Sequence, residues 1–103
     1  MKKKLIEALQ EIKLPYAYFE FAKDENIKPP FIVYLGNGAE VFEADFGYFT
    51  KKYKFSLEFY FDHKDFEMEE RIESILEKHG FKWEKSEDLF IKSEQMFEII
   101  YYI

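Results

Sequence analysis

The chain has no cysteine, one tryptophan and, among its fifteen basic residues, a single arginine, Arg71. Without thiols, disulfide staples and thiolate-ligated metal sites are both excluded. A lone guanidinium leaves little for the fork-like recognition of phosphates and base edges. A net charge of −6 also opposes any polyanion, so no specific nucleic-acid binding is expected. Long hydrophobic runs are missing too. No stretch approaches the ~20 apolar residues of a membrane span. The basic start Met1–Lys4 leads into Leu5–Leu14, which Glu7, Gln10, Glu11 and Lys13 make too polar for a signal-peptide core. The reading is of a protein made in the cytoplasm, with no membrane partner. With only four glycines and three prolines, no linker, repeat or low-complexity tract divides it. The 103 residues are expected to form a single domain, 1–103.

Aromatic residues are abundant. They make up 21% of the chain, with thirteen Phe and eight Tyr. Such side chains have large burial energies, favour strands and are enriched at interface centres.

Periodicity predicts the elements. Leu5, Ala8, Leu9 and Ile12 share one stripe of a helix from about Lys3 to Lys13, which Pro15 ends. A short strand over Tyr16–Phe21 and a polar loop, Lys23–Lys28, lead to Pro29-Pro30 and the apolar strand Phe31–Leu35. Gly36-Asn37-Gly38 reads as a hairpin turn, because Asn and Gly accept positive φ. It would join that strand to one over Ala39–Phe49, with a bend at Gly47, and a third strand follows over Lys51–Phe61. In the third, Tyr53, Phe55, Leu57, Phe59 and Phe61 share one face, and Lys54, Ser56, Glu58, Tyr60 and Asp62 the other. From Asp65 the period becomes helical, with Phe66, Ile72, Ile75, Leu76 and His79 on one side and Gly80 as the stop. Strands over Phe81–Lys85 and Leu89–Ile103 would close a hairpin near Ser86-Glu87-Asp88. The expected fold class is therefore α+β. It is a mostly antiparallel sheet of four to five strands with two helices on one face, in the order α-β-β-β-β-α-β-β.

Nothing in the chain assembles a reaction centre. Asp62, His63 and Asp65 could hold a divalent metal, but Lys64 stands among them, and a helix cap with dipole-complementing acids accounts for the same residues. His79 suits a helix C-terminus, and no Ser, Cys or acid is expected to be placed to make a relay with it. Gly36-Asn37-Gly38 lacks the Lys-Ser/Thr and the following helix of a phosphate loop. Glu43 and Asp45 would share a face of an extended segment, yet so small a domain leaves little cleft for a sugar. No catalytic residue, metal site or cofactor is expected, and the protein reads as a non-enzyme.

Two helices cover one face of such a sheet, and several strands are apolar on both. Met96, Ile100 and Tyr102 alternate with Phe97, Ile99, Tyr101 and Ile103, while Phe42, Ala44, Phe46 and Tyr48 oppose Val41 and Phe49. A strand apolar on both sides needs cover on both. We therefore expect a neighbouring copy or a partner on the second face, with Phe42, Phe46, Tyr48, Tyr60, Phe97 and Tyr101 at the interface. The competing expectation is that the terminal hairpin curls over that face.

The chain also resembles a family of small siphophage and prophage structural proteins of Gram-positive hosts. The likeness runs through Pro29-Pro30-Phe31-Ile32-Val33-Tyr34, Ala44-Asp45 and Leu57-Glu58-Phe59-Tyr60. It continues through Lys64-Asp65, Glu69-Glu70, Ile75-Leu76-Glu77-Lys78-His79-Gly80 and Glu84-Lys85-Ser86-Glu87, and ends in Ile91–Tyr101. Glu43-Ala44-Asp45-Phe46-Gly47 departs from the more polar stretch of that pattern. The resemblance implies a head–tail joining or tail-completion component, similar in layout to tail terminators. Such copies assemble with themselves as a ring and dock on tail-tube and neck proteins, first in the host cytoplasm and then in the virion. Under it, the segment Gly36–Lys52 is the element to reach a neighbour or line a lumen, and Glu40, Glu43 and Asp45 are the lumen-facing acids that would let DNA slide. Two other classes stay open: an acidic inhibitor occupying a protein's nucleic-acid site, and a small regulatory binding domain. Interspersed Lys82, Glu84, Lys85 and Glu87 disfavour the single-sign face that the first of these needs.

Overall fold

The computed structural model describes residues 2–43 and 45–103, Asp45 by its backbone alone. Leu5, Ala8, Leu9 and Ile12 are the buried stripe of helix α1 (Lys2–Ile12). Helix α2 (Phe66–Lys78) buries Ile72, Ile75 and Leu76. Its start is fixed by Asp65, whose Oδ1 accepts from the Met68 amide at 3.0 Å, and the acids Glu67 and Glu69 sit in the first turn.

Strands β1 (Tyr16–Tyr18), β2 (Phe31–Glu43), β3 (Phe49–Phe61), β4 (Glu84–Lys85), β5 (Leu89–Ile91) and β6 (Met96–Tyr102) form one sheet. Its order is β1-β2-β3-β6-β4, with β5 also on β6. The chain is α+β as expected, with both helices on one face and the pairing mostly antiparallel; the β1–β2 pair is parallel. The core lies between that face and the helices, where Ile32, Tyr34, Leu57, Phe59, Ile99 and Tyr101 meet Leu9, Ile72 and Leu76. Each such aliphatic side chain contributes about 1.5–3 kcal/mol on burial.

Several boundaries differ from the sequence reading. Gly36-Asn37-Gly38 is not a turn. Pairing passes from Gly36↔Phe55 to Ala39↔Tyr53, so β2 spends one residue more than β3 there. That is a bulge, and Gly38 takes φ 79° within it. The chain reverses instead at Asp45–Gly47, so three strands rather than four precede α2. Residues 89–103 are likewise two strands, β5 and β6, joined by a turn that ends at Gln95 with φ 52°. The element order is therefore α-β-β-β-α-β-β-β with six strands.

Because β1 runs parallel to β2, the chain must cross the sheet between Tyr18 and Phe31. Residues 19–28 make that crossing over the face opposite the helices, where the Phe21 ring packs edge-on against Phe31 at 5.3 Å. This segment, rather than the terminal hairpin, supplies part of the second-face cover, and Val33 beneath it is only 5% exposed.

Candidate functional site

Beyond Gly36 on β2 and before Lys54 on β3, neither strand has an outer neighbour. β1 pairs no further than Tyr34, and β6 no further than Ser56. The hairpin therefore leaves the sheet as a free two-stranded arm. The radius of gyration, 15.2 Å, exceeds the ~13 Å of a globular chain this long, and the long axis reaches 52 Å. Every described arm side chain from Gly36 to Tyr53 is exposed. A two-stranded ribbon is marginal in water on its own, and its open edges are templates for pairing.

Composition makes the arm unusual. Val41, Phe42, Phe46, Tyr48, Phe49 and Tyr53 are all exposed, and they are most of the exposed large hydrophobic side chains among the described residues. The bulge turns β2 over, because a one-residue slip moves each later side chain to the other face. Ala39, Val41, Phe49 and Tyr53 consequently share the side continuous with the core, while Phe42 lies opposite with Glu40, Lys52 and Thr50. At the tip Phe46 is 95% exposed and holds φ 64°, ψ 27°, a left-handed conformation that costs a residue with a Cβ about 1–2 kcal/mol. Gly47 follows at φ 77°. Strained backbone of this kind clusters at functional sites.

The six residues expected at an interface do not form one surface. Phe42, Phe46 and Tyr48 are on the arm and open to solvent. Tyr60 lies on the far face, half-buried, stacked on Phe31 at 5.0 Å and donating to Glu58 Oε1 at 2.9 Å. Phe97 packs on the helix side between Phe61 and Phe90, with centroids at 5.5 and 5.0 Å. Tyr101 is fully buried and donates its hydroxyl to Glu73 at 2.7 Å, so it is core and presents no surface. Val41, Phe49 and Tyr53 belong to the exposed set instead; their place on the arm depends on where the hairpin turns, which local sequence misplaced.

The three acids assigned to a lumen are also separated. Glu40 is paired with Lys54 at 2.9 Å, and Glu43 projects from the opposite side of β2. Asp45 opens the turn rather than continuing a strand; its side chain, like all of Ala44, lies outside the described residues. Three acids against the two lysines Lys51 and Lys52 leave the arm a formal charge of only −1.

Elsewhere the ionisable groups hold the body together. Glu69 is 2% exposed, with Lys64 and Lys85 each 2.8 Å from one of its oxygens. Both are ion pairs between opposed charges, and they compensate a carboxylate held almost wholly out of solvent. Asp88 and Glu73 complete the cluster on Lys64 and Lys85, at 3.0 and 2.7 Å. Among the described residues no three His, Asp or Glu side chains could hold a metal; His63 is exposed. His79 meets an acid distant in sequence, Glu11, at 2.9 Å, but no hydroxyl nucleophile is among its hydrogen-bond partners. On the far face, burial holds the Glu98 carboxyl above its usual range against a lowering contact from Tyr60, and Glu58 adds to the rise. Burial, with the bond to Glu58, also raises the Tyr60 hydroxyl.

No described helix is long and apolar enough to cross a membrane. No protein-family model matches the chain, and no curated protein matches it.

Proposed function

We propose that this chain is a non-enzymatic assembly protein that binds further copies of itself through the arm. The observation that carries the reading is the arm itself, a ribbon with open edges whose apolar side chains find no cover within the molecule. Burying them offsets a solvent exposure that a monomer would otherwise carry permanently. An interface of ordinary size buries about 800 Å² on each partner, which an eighteen-residue arm exposed on both faces can supply.

The resemblance to small siphophage structural proteins supplies the setting. The protein is a head–tail joining or tail-completion component that assembles as a ring and docks on tail-tube and neck proteins, in the host cytoplasm and then in the virion. Light scattering with negative-stain imaging, alone and with tail tubes, tests both parts. Rings or capped tubes are the expected outcome. A protein that stays monomeric at high concentration and ignores tubes overturns it.

A further inference from the structure

The arm leaves one end of the β2–β3 pair, and a groove with an apolar floor and a charged rim opens at the other. That groove, about 570 Å³, lies between the 19–28 crossing and the far sheet face, walled by Phe21, Ile27, Phe31, Val33 and Met96. Its volume is that of a site holding a compact apolar group, for which roughly 300–1,000 Å³ is usual. Phe31 and Glu43 are the ends of β2, twelve residue steps apart, or about 40 Å at ~3.3 Å per step. An arm therefore cannot reach its own groove.

Resting on the self-assembly reading above, we propose that the arm of each copy seats Phe46 in this groove of the next copy, joining molecules head to tail. Phe46 offers an almost fully exposed ring at the tip of the arm, on left-handed backbone that turns it outward from both strands. Charge agrees with the pairing. The groove is bordered by Glu20, Glu25 and Glu94 against one base, Lys23. Lys51 and Lys52, just behind the tip, take part in none of the ion pairs among the described residues. Glu58 and Glu98 lie on the same far face beside Tyr60, and an arriving ammonium would relieve their mutual repulsion. A joint between two different surfaces is heterologous, so it propagates: it closes as a ring when the rotation permits and otherwise grows as a filament.

Sedimentation velocity over a concentration series tests the joint with Phe46→Asp on the arm and Ile27→Glu in the groove. Glu94→Lys, on the exposed rim, serves as a second groove variant that leaves the crossing's packing untouched. Phe46→Asp and Ile27→Glu should each associate at least about 30-fold more weakly than wild type, the loss expected at a central anchor, and Glu94→Lys several-fold more weakly, as a rim charge reversal does. Mixed in equal amounts, Phe46→Asp brings an intact groove and Ile27→Glu an intact arm, so the mixture should give a 1:1 dimer and nothing larger. If both groove variants assemble like wild type while Phe46→Asp does not, or if the mixture stays monomeric, the arm docks elsewhere and this inference falls alone. If Phe46→Asp assembles like wild type, the tip is not the anchor and this inference again falls alone; if wild type never associates, the self-assembly reading falls with it.

Discussion

Glu11, in the last turn of α1, and His79, at the C-terminal cap of α2, face each other at 2.9 Å across 68 residues of sequence. Lys78 reaches the other Glu11 oxygen at 2.9 Å, and Arg71 donates to the Glu11 carbonyl at 2.8 Å. One short acid thus ties the two helices together at the rim of the core.

Those contacts hold the Glu11 carboxyl below its usual value of 4.5, His79 first and Lys78 second. A depressed acid contributes stability above its unfolded value and loses it as pH falls through the folded one. Glu11→Gln should therefore lower Tm modestly at pH 5.5, with the difference closing toward pH 3. The effect is small because the pair is near the surface. Equal differences at both pH values would show that the carboxylate charge does not act.

Glu98 has the opposite sign. Burial, reinforced by Glu58, raises its carboxyl above 4.5. A raised acid leaves stability intact below the unfolded value and costs stability as pH climbs through the folded one. Glu98→Gln keeps the shape and removes the charge. It should raise the urea midpoint at pH 7 and leave it unchanged at pH 4. A midpoint lowered at pH 7 would contradict the assignment.

The legible parts of the fold are those where burial imposes a period. The α1 stripe Leu5, Ala8, Leu9, Ile12 and the β3 alternation Leu57, Phe59, Phe61 were readable because each faces a packed core. The arm has no such constraint. Its side chains are exposed on both faces, so alternation says nothing there, and the bulge borrowed Gly38's positive φ from the turn it would otherwise signal. The direction of β1 was equally hidden, since three residues show the same pattern whichever way they run. Tyr101 was misplaced because β6 is apolar on both faces, and only its pairing with Leu57 identifies the buried one.

Tyr101 yields a third expectation. Its ring is fully buried, packed edge-on against Trp83 at 5.9 Å, and its hydroxyl donates to Glu73. Removing the hydroxyl in Tyr101→Phe forfeits a charge-assisted hydrogen bond of about 1.5–3 kcal/mol. Lys85, 2.7 Å from the same Glu73 oxygen, keeps that acid from being stranded, so the loss should fall near the lower end. Urea unfolding measures it, and an unchanged midpoint would rule out the bond.

Phe46 separates folding from assembly. In its left-handed conformation a phenylalanine pays a strain that asparagine largely avoids, because a short polar side chain can satisfy nearby backbone there. The ring is 95% exposed, so nothing in the monomer compensates for its loss. Phe46→Asn should accordingly stabilise the isolated fold by about 1 kcal/mol, read by urea unfolding at a concentration too low for association. The same substitution deletes the aromatic tip, so association at high concentration should weaken. Folding alone favours the asparagine, so the strain at Phe46 is a cost that the proposed contact would offset. A variant that is no more stable, or that assembles as well as wild type, would break that link between strain and contact.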